Sequence, residues 1–248
     1  MPSLSTTGWL GCALGAALTA AAMAAEPEAL AVAPSQQFVA PAPGSYVLHV
    51  IQPGPNGAVL DSDGRPDRLE RLTRGGVTLL SFMYTYCSDP IGCPLAWSTL
   101  QQLRTRLLAA PNLARRVRFI SLSFDPLHDT PSAMRLYAGA LAAPGGAPRW
   151  HFLTTSSVRQ LKPIVDDLGQ SVQVQLDRAG RPSRLIHHML KVFLLDDAGR
   201  VREIYSTAFL QPEVMYNDIV TLAMEHGWAG ESAAPRLVGR PGLARRGR

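Results

Sequence analysis

The chain has 248 residues, 46% of them hydrophobic and 17% charged, with a formal net charge of +5 and three cysteines. That is enough for one α/β domain with a real core, and too few cysteines for a small scaffold held by several disulfides. Much of the positive charge belongs to Arg236, Arg240, Arg245, Arg246 and Arg248 near the end, with no interleaved aromatics of the kind nucleic-acid binding needs.

Residues 1–25 carry an apolar run, Trp9 to Ala25, closed by the small-x-small step Ala22-Met23-Ala24. This reads as a secretory signal peptide, or as a membrane anchor if it is retained. The protein is therefore expected to be exported, in the periplasm or another extracytoplasmic space, with membrane proximity possible in principle. Cys12 lies inside the run and receives no role. Residues 26–45 read as a Pro- and Ala-rich linker, 46–226 as the folded domain, and 227–248 as a disordered basic tail.

Tyr46 to Ile51 is a short strand candidate, and Gly57 to Leu60 with the turn Asp61-Ser62-Asp63-Gly64 suggests a small hairpin. Asp67 to Leu72 is a short helix or turn leading to the apolar strand Val77 to Met83. Leu95, Leu100, Leu103 and Leu107 predict a helix over Leu95 to Leu108. A second parallel strand runs from Val117 to Ser123. Asp129-Thr130-Pro131-Ser132 opens a helix over Ala133 to Ala142. Trp150 to Leu153 is a further apolar stretch, and Ser156 or Ser157 caps a helix ending at Leu168. Leu190 to Leu195 and Val201 to Ile204 flank the turn Asp196-Asp197-Ala198-Gly199, making a hairpin. A last helix spans Pro212 to about His226. The order predicts an α/β, thioredoxin-like, three-layer fold with a central sheet, extra N-terminal strands, and a C-terminal β-hairpin plus helix.

The chemistry gathers where the first long strand ends. Cys87 follows that strand and Cys93 stands just before Pro94 and the next helix, so both thiols share a strand-to-helix loop. Unpaired helix N–H groups there stabilise thiolate. Such a pair can close a disulfide, exchange disulfides, or grip a soft metal. His187 and His188 precede the last hairpin and enter the sheet beside this loop. Two thiolates and one imidazole suit Cu(I), whereas Zn(II) would want a fourth ligand. Asp125 and Asp129 flank His128 after the second long strand; they either terminate the strand and cap the next helix, or orient the site and a partner's docking surface. His49, His151 and His226 have no companions in the sequence.

These same segments resemble the SCO/SenC family of copper-binding, thioredoxin-like proteins over roughly residues 55 to 220. The resemblance rests on Phe82-Met83-Tyr84-Thr85-Tyr86-Cys87 with Cys93-Pro94, on Ile120 to Pro131 ending in Asp129-Thr130-Pro131, and on His187-His188 ahead of Leu194-Leu195-Asp196-Asp197-Ala198-Gly199. It implies a metallochaperone rather than an enzyme. Copper, as Cu(I) and also Cu(II), would be held by Cys87, Cys93 and His188, with Asp125 assisting without binding metal. Asp129 and His187 would lie beside the ligands or at a docking surface. The implied client is a copper enzyme, the copper subunit of cytochrome c oxidase among them. Some members look more like thiol–disulfide reductases, for which Cys87 and Cys93 would be the reacting pair and a thiol reductant a partner. Two departures stand out: five residues separate the cysteines where the family commonly has three, and His187 replaces the family's usual Asp.

Overall fold

The computed structural model describes residues 39–87, 89, 92–143 and 145–228. The expected leader, Cys12, most of the linker and nearly all of the basic tail lie outside the described residues. Among those described, no helix is long and apolar enough to cross a membrane.

In chain order the elements are β1 (Gln52–Pro53), β2 (Ala58–Leu60), β3 (Pro66–Arg68), α1 (Leu69–Leu72), β4 (Val77–Met83), α2 (Gly92–Leu108), α3 (Pro111–Ala114), β5 (Val117–Ser123), α4 (Pro131–Ala138), β6 (Arg149–Leu153), α5 (Val158–Asp167), β7 (Val172–Leu176), β8 (Pro182–His188), β9 (Lys191–Leu195), β10 (Arg200–Ser206) and α6 (Pro212–Glu225). Six strands form the central sheet in the order β1-β10-β9-β4-β5-β6. β4 is parallel to β5, and β5 to β6, while β9 runs antiparallel to β4. All seven residues of β4 are buried, as a strand covered on both faces must be.

Each sheet face has its own core. On one, Leu95, Leu100, Leu103 and Leu107 of α2 pack with Ile219 and Leu222 of α6 against Leu79, Phe119 and Phe152. On the other, Leu161 and Ile164 of α5 and Leu69 of α1 cover Leu80, Ile120 and Phe193. Alternation along β4 and β5 supplies both faces from the same strands. The result is the expected thioredoxin-like arrangement.

Three departures from the sequence reading have local causes. Tyr46 to Ile51 does not form a strand; pairing begins at Gln52, while the buried Arg202 guanidinium donates to the Leu48 carbonyl and Tyr46 donates to Asp218 at 2.5 Å. The Arg202 side chain thus takes up a carbonyl that a ladder would have used, and the Tyr46 side chain pins the segment to α6. Helix α2 starts at Gly92, earlier than the leucine pattern indicates, so Cys93 lies inside its first turn. Helix α4 stops at Ala138 and continues as a 3₁₀ turn to Ala142.

The larger surprise is the two-stranded ribbon β7-β8, which stands apart from the central sheet. His187 and His188 do precede the last hairpin, whose first strand β9 begins at Lys191, but they also end β8, paired with Gln173 and Val172 of β7. The ribbon's turn is made by Asp177, whose carboxylate accepts from the backbone N–H groups of Ala179 and Arg181 at 2.8 and 2.9 Å.

Candidate metal centre

The site sits at the carboxyl end of β4, where open α/β sheets leave a crevice. β4 delivers the chain into a tight turn closed by Cys87 N–H donating to the Tyr84 carbonyl at 3.2 Å. Asp129 anchors that turn from the neighbouring strand. Its fully buried carboxylate accepts from the Thr85 hydroxyl at 2.6 Å, the Thr85 N–H at 3.1 Å and the Ser123 hydroxyl at 2.5 Å. Helix capping falls instead to Thr130, whose side chain accepts from Ala133 N–H. Asp129 therefore ties the start of the cysteine loop to the end of β5.

Cys87 and Cys93 are both free thiols and both half-buried. They line a small cavity of about 220 Å³ with Tyr84, Thr85, Pro94, Trp97 and Tyr137. The two sulfurs are electrically unequal. Donation from the Cys93 thiol pulls the Cys87 pKa down to about 4 against the opposing effect of burial; His188, Tyr84 and the Asp89 backbone N–H add to the shift. The same bond, with burial, pushes the Cys93 thiol up. Cys87 is therefore the sulfur that ionises first, with the Cys93 thiol hydrogen-bonded to it. Burial, then the Cys93 and Cys87 sulfurs, push the Tyr137 phenol up to about 12, so it stays a neutral donor at the rim.

His188 joins this pair from the ribbon. Its ring packs 4.6 Å from Phe124 and 6.2 Å from Tyr84, centroid to centroid, and lies within hydrogen-bonding reach of Cys87. Nδ1 faces the Met189 carbonyl at 3.4 Å, which leaves Nε2 for the sulfurs. His187 is elsewhere: successive strand residues point to opposite faces, and its Nε2 meets Gln175 Oε1 at 3.0 Å across the ribbon. Among the described residues, no three His, Cys, Asp or Glu side chains are already drawn together tightly enough to hold a metal ion. The arrangement is a thiol pair with an imidazole at its edge.

Asp125 lies two residues beyond β5; it accepts from the Tyr86 hydroxyl and from Leu127 N–H at 3.1 Å, and meets His128 Nδ1 at 2.6 Å. Burial opposes its ionisation, but the bonds from Tyr86 and His128 outweigh that and hold the carboxyl below the usual range. It thus fixes the residue next to Cys87 without touching a sulfur. The sequence reading quoted Tyr84, Thr85 and Tyr86 only as part of a motif, gave them no role, and did not single out Trp97 or Tyr137. The aromatic density of Tyr84-Thr85-Tyr86 was the available signal for three of them.

The model of the SCO1/SenC family matches residues 58–224, which spans the whole site. The chain belongs to the SCO1/SenC family. Among solved structures, the apo Sco1 protein of Thermus thermophilus is 26% identical, with a TM-score of 0.57 over 72% of this chain and 95% of that one. A SCO1/SenC family lipoprotein from Bacillus anthracis is 21% identical, with a TM-score of 0.57 over 72% and 99%. ScoI of Bradyrhizobium japonicum, solved with copper bound, is 22% identical, with a TM-score of 0.53 over 67% and 96%. No curated protein matches the chain. Membership associates the protein with copper handling, in a SCO1/SenC group whose members are generally chaperones and assembly factors rather than catalytic enzymes.

Proposed function

We propose that this protein is an exported copper chaperone that takes Cu(I) as cargo on Cys87, Cys93 and His188 and passes it to a copper enzyme, cytochrome c oxidase being the favoured client. Residues 1–25 would serve as leader or anchor. The observation that carries the reading is the asymmetric pair itself. Cys87 ionises the more readily of the two, Cys93 would give up its proton on binding, and an imidazole nitrogen stands beside them. Soft thiolates with a neutral nitrogen donor match Cu(I) in softness and in coordination number. The three side chains would have to rotate together to close on the ion, and the small cavity would leave a side open for a client's ligands. Transfer would then proceed by exchange of ligands. Asp129 and Asp125 would hold the loop's shape, and His187 would take no part in binding.

The test is titration of the reduced full chain with Cu(I) against a competing chelator. One tight equivalent is expected, lost in Cys87→Ser and Cys93→Ser. His188→Ala should weaken binding about tenfold or more, the scale of one lost ligand or its support, and His187→Ala should leave it unchanged. Absence of tight binding by the fully reduced protein would overturn the proposal.

The depressed Cys87 pKa also favours a second reading, thiol–disulfide exchange. Cys87 thiolate would attack a client disulfide and release one client thiolate. Cys93 would then resolve the mixed disulfide, leaving a Cys87–Cys93 disulfide and a client dithiol; an external dithiol reductant would restore the pair. Reduction of a client's copper-site disulfide at an unchanged rate in the presence of saturating Cu(I) would favour this reading over delivery.

A further inference from the structure

A second cavity, of about 780 Å³, opens at the opposite end of the parallel strands, lined by Arg115, Arg118, Arg149 and His151 together with Gly145 and Gly146. It is within the size range of small-molecule sites and lies about 20 Å from the cysteines, the rise of one seven-residue strand. Its charge is built into the sheet. Arg118 of β5 and Arg149 of β6 are direct ladder partners, so their side chains leave the same face side by side. His151 follows two residues later on that face. Like charges directly opposite one another destabilise a sheet, and no carboxylate lines the cavity among the described residues. Arg71, also at the rim, is already paired with Asp67 at 2.5 Å. Arg115, Arg118 and Arg149 form no ion pair among the described residues; Arg115 donates only to Asn112 and Arg118 only to the Leu72 carbonyl, each at 2.5 Å. The Arg149 side chain donates to no protein group among the described residues.

The geometry points to an oxyanion site: Arg118 and Arg149, flanked by Arg115 and His151, bind a multiply charged anion of the phosphate class. Paired guanidinium forks match phosphate oxygens in shape as well as charge, and His151 adds a ring nitrogen. Burial, then the neighbouring Arg149, pull the Arg118 pKa down; burial, then Arg118 and Arg149, do the same to His151. Asp67 and Asp61 offset only part of this at His151, and a bound anion would relieve the rest. The phosphate has two sources of the same chemistry, a free phosphate compound or the headgroup of an anionic lipid. The lipid source is compatible with the described chain's end: Trp228 lies 5.2 Å under the Arg116 guanidinium, next to Arg115, and the arginine-rich residues follow it in sequence.

The experiment titrates the full chain and its Arg149→Gln variant with pyrophosphate by calorimetry in chloride buffer. The same two proteins are then floated with phosphatidylglycerol and phosphatidylcholine vesicles. The Arg149 side chain has no hydrogen bond to lose and its backbone pairing with β5 is kept, so the variant is expected to fold and to bind Cu(I) as the parent does. Pyrophosphate binding weakened about tenfold or more by the substitution, the scale of a charge-assisted hydrogen bond, supports a site for soluble phosphates. A phosphatidylglycerol preference that falls in the variant supports the headgroup. Vesicle binding unaltered by Arg149→Gln would belong to the apolar N-terminal run or the basic tail. That result, combined with pyrophosphate binding that is absent or equal in both proteins, overturns the inference.

Discussion

At the level of single residues, the site depends on groups that set the state of the sulfurs as much as on the sulfurs. Tyr84 is buried and bonded to Cys87; burial and that bond push its own pKa up, so it remains a donor. Tyr84→Phe removes a hydrogen bond to the charged form of Cys87. Its pKa should rise by about one unit, since a bond to a charged group is worth about 1.5–3 kcal/mol. Ultraviolet thiolate absorbance followed against pH would measure this. Asp129 acts on shape instead. Asp129→Ala strands three donors on Thr85 and Ser123 in a buried setting, and about 2–4 kcal/mol of stability should be lost. Denaturant unfolding checks the stability. Copper titration of the same variant should show weaker binding, because Thr85 no longer fixes the turn that ends at Cys87.

At the level of elements, the histidine's position rests on a ribbon that the central sheet does not hold. Ile186 and Val172 pack into the core under α5, and the buried Gln170 donates to the Met189 carbonyl at 2.9 Å, next to His188. Gln170→Ala should cost about 1–2 kcal/mol locally and weaken Cu(I) binding several-fold. In a His188→Ala background the same change should have no further effect on copper. Comparing the two by chelator competition distinguishes a loosened ribbon from a damaged thiol pair. Helix α4 offers a control distant from the sulfurs in mechanism: Thr130→Ala removes its cap and should cost about 1 kcal/mol, measured by thermal unfolding, with copper affinity kept.

Across the whole molecule, the last hairpin is joined to the first and last segments by a charged network. Buried Asp196 accepts from Arg200 N–H at 2.9 Å and meets the Arg200 and Arg202 guanidinium groups at 2.8 and 3.1 Å, while Arg202 also reaches Glu225 at 2.8 Å. Burial opposes its ionisation, but these bonds prevail and hold its carboxyl below the usual range. With a folded pKa below the unfolded value of about 3.9, Asp196 stabilises the fold above that value; the contribution disappears as pH falls through the folded pKa. Asp196→Asn should therefore cost about 3 kcal/mol near neutrality. The deficit should shrink in acid, where the native carboxylate loses its charge as well. Unfolding curves for both proteins from neutral pH down to acid test the sign.

Much of this was legible along the chain because the signals were local. The unbroken apolar run Val77 to Met83 marks a strand buried on both faces, Thr130-Pro131 marks a helix start, and Asp196 to Gly199 marks a turn whose glycine takes a φ of +78°. Cys87 and Cys93 were visible as a pair because a short loop keeps them together whatever the rest of the fold does. The ribbon was not legible: its strands are short and half-exposed, and Val172-Gln173-Val174-Gln175 alternates without burying a full face. Its formation decides which of two adjacent histidines meets the thiols, since period two sends neighbours to opposite sides. Arg118 and Arg149 are 31 positions apart, and only the parallel register of β5 and β6 makes them neighbours. The sequence by itself determined the thiol pair, the family and the layered fold, because each rests on spacing within one segment or on segment order. Tertiary structure alone decided the histidine's facing, the role of Asp129 and the cationic cavity, because each depends on contacts between strands that the chain brings together only when folded.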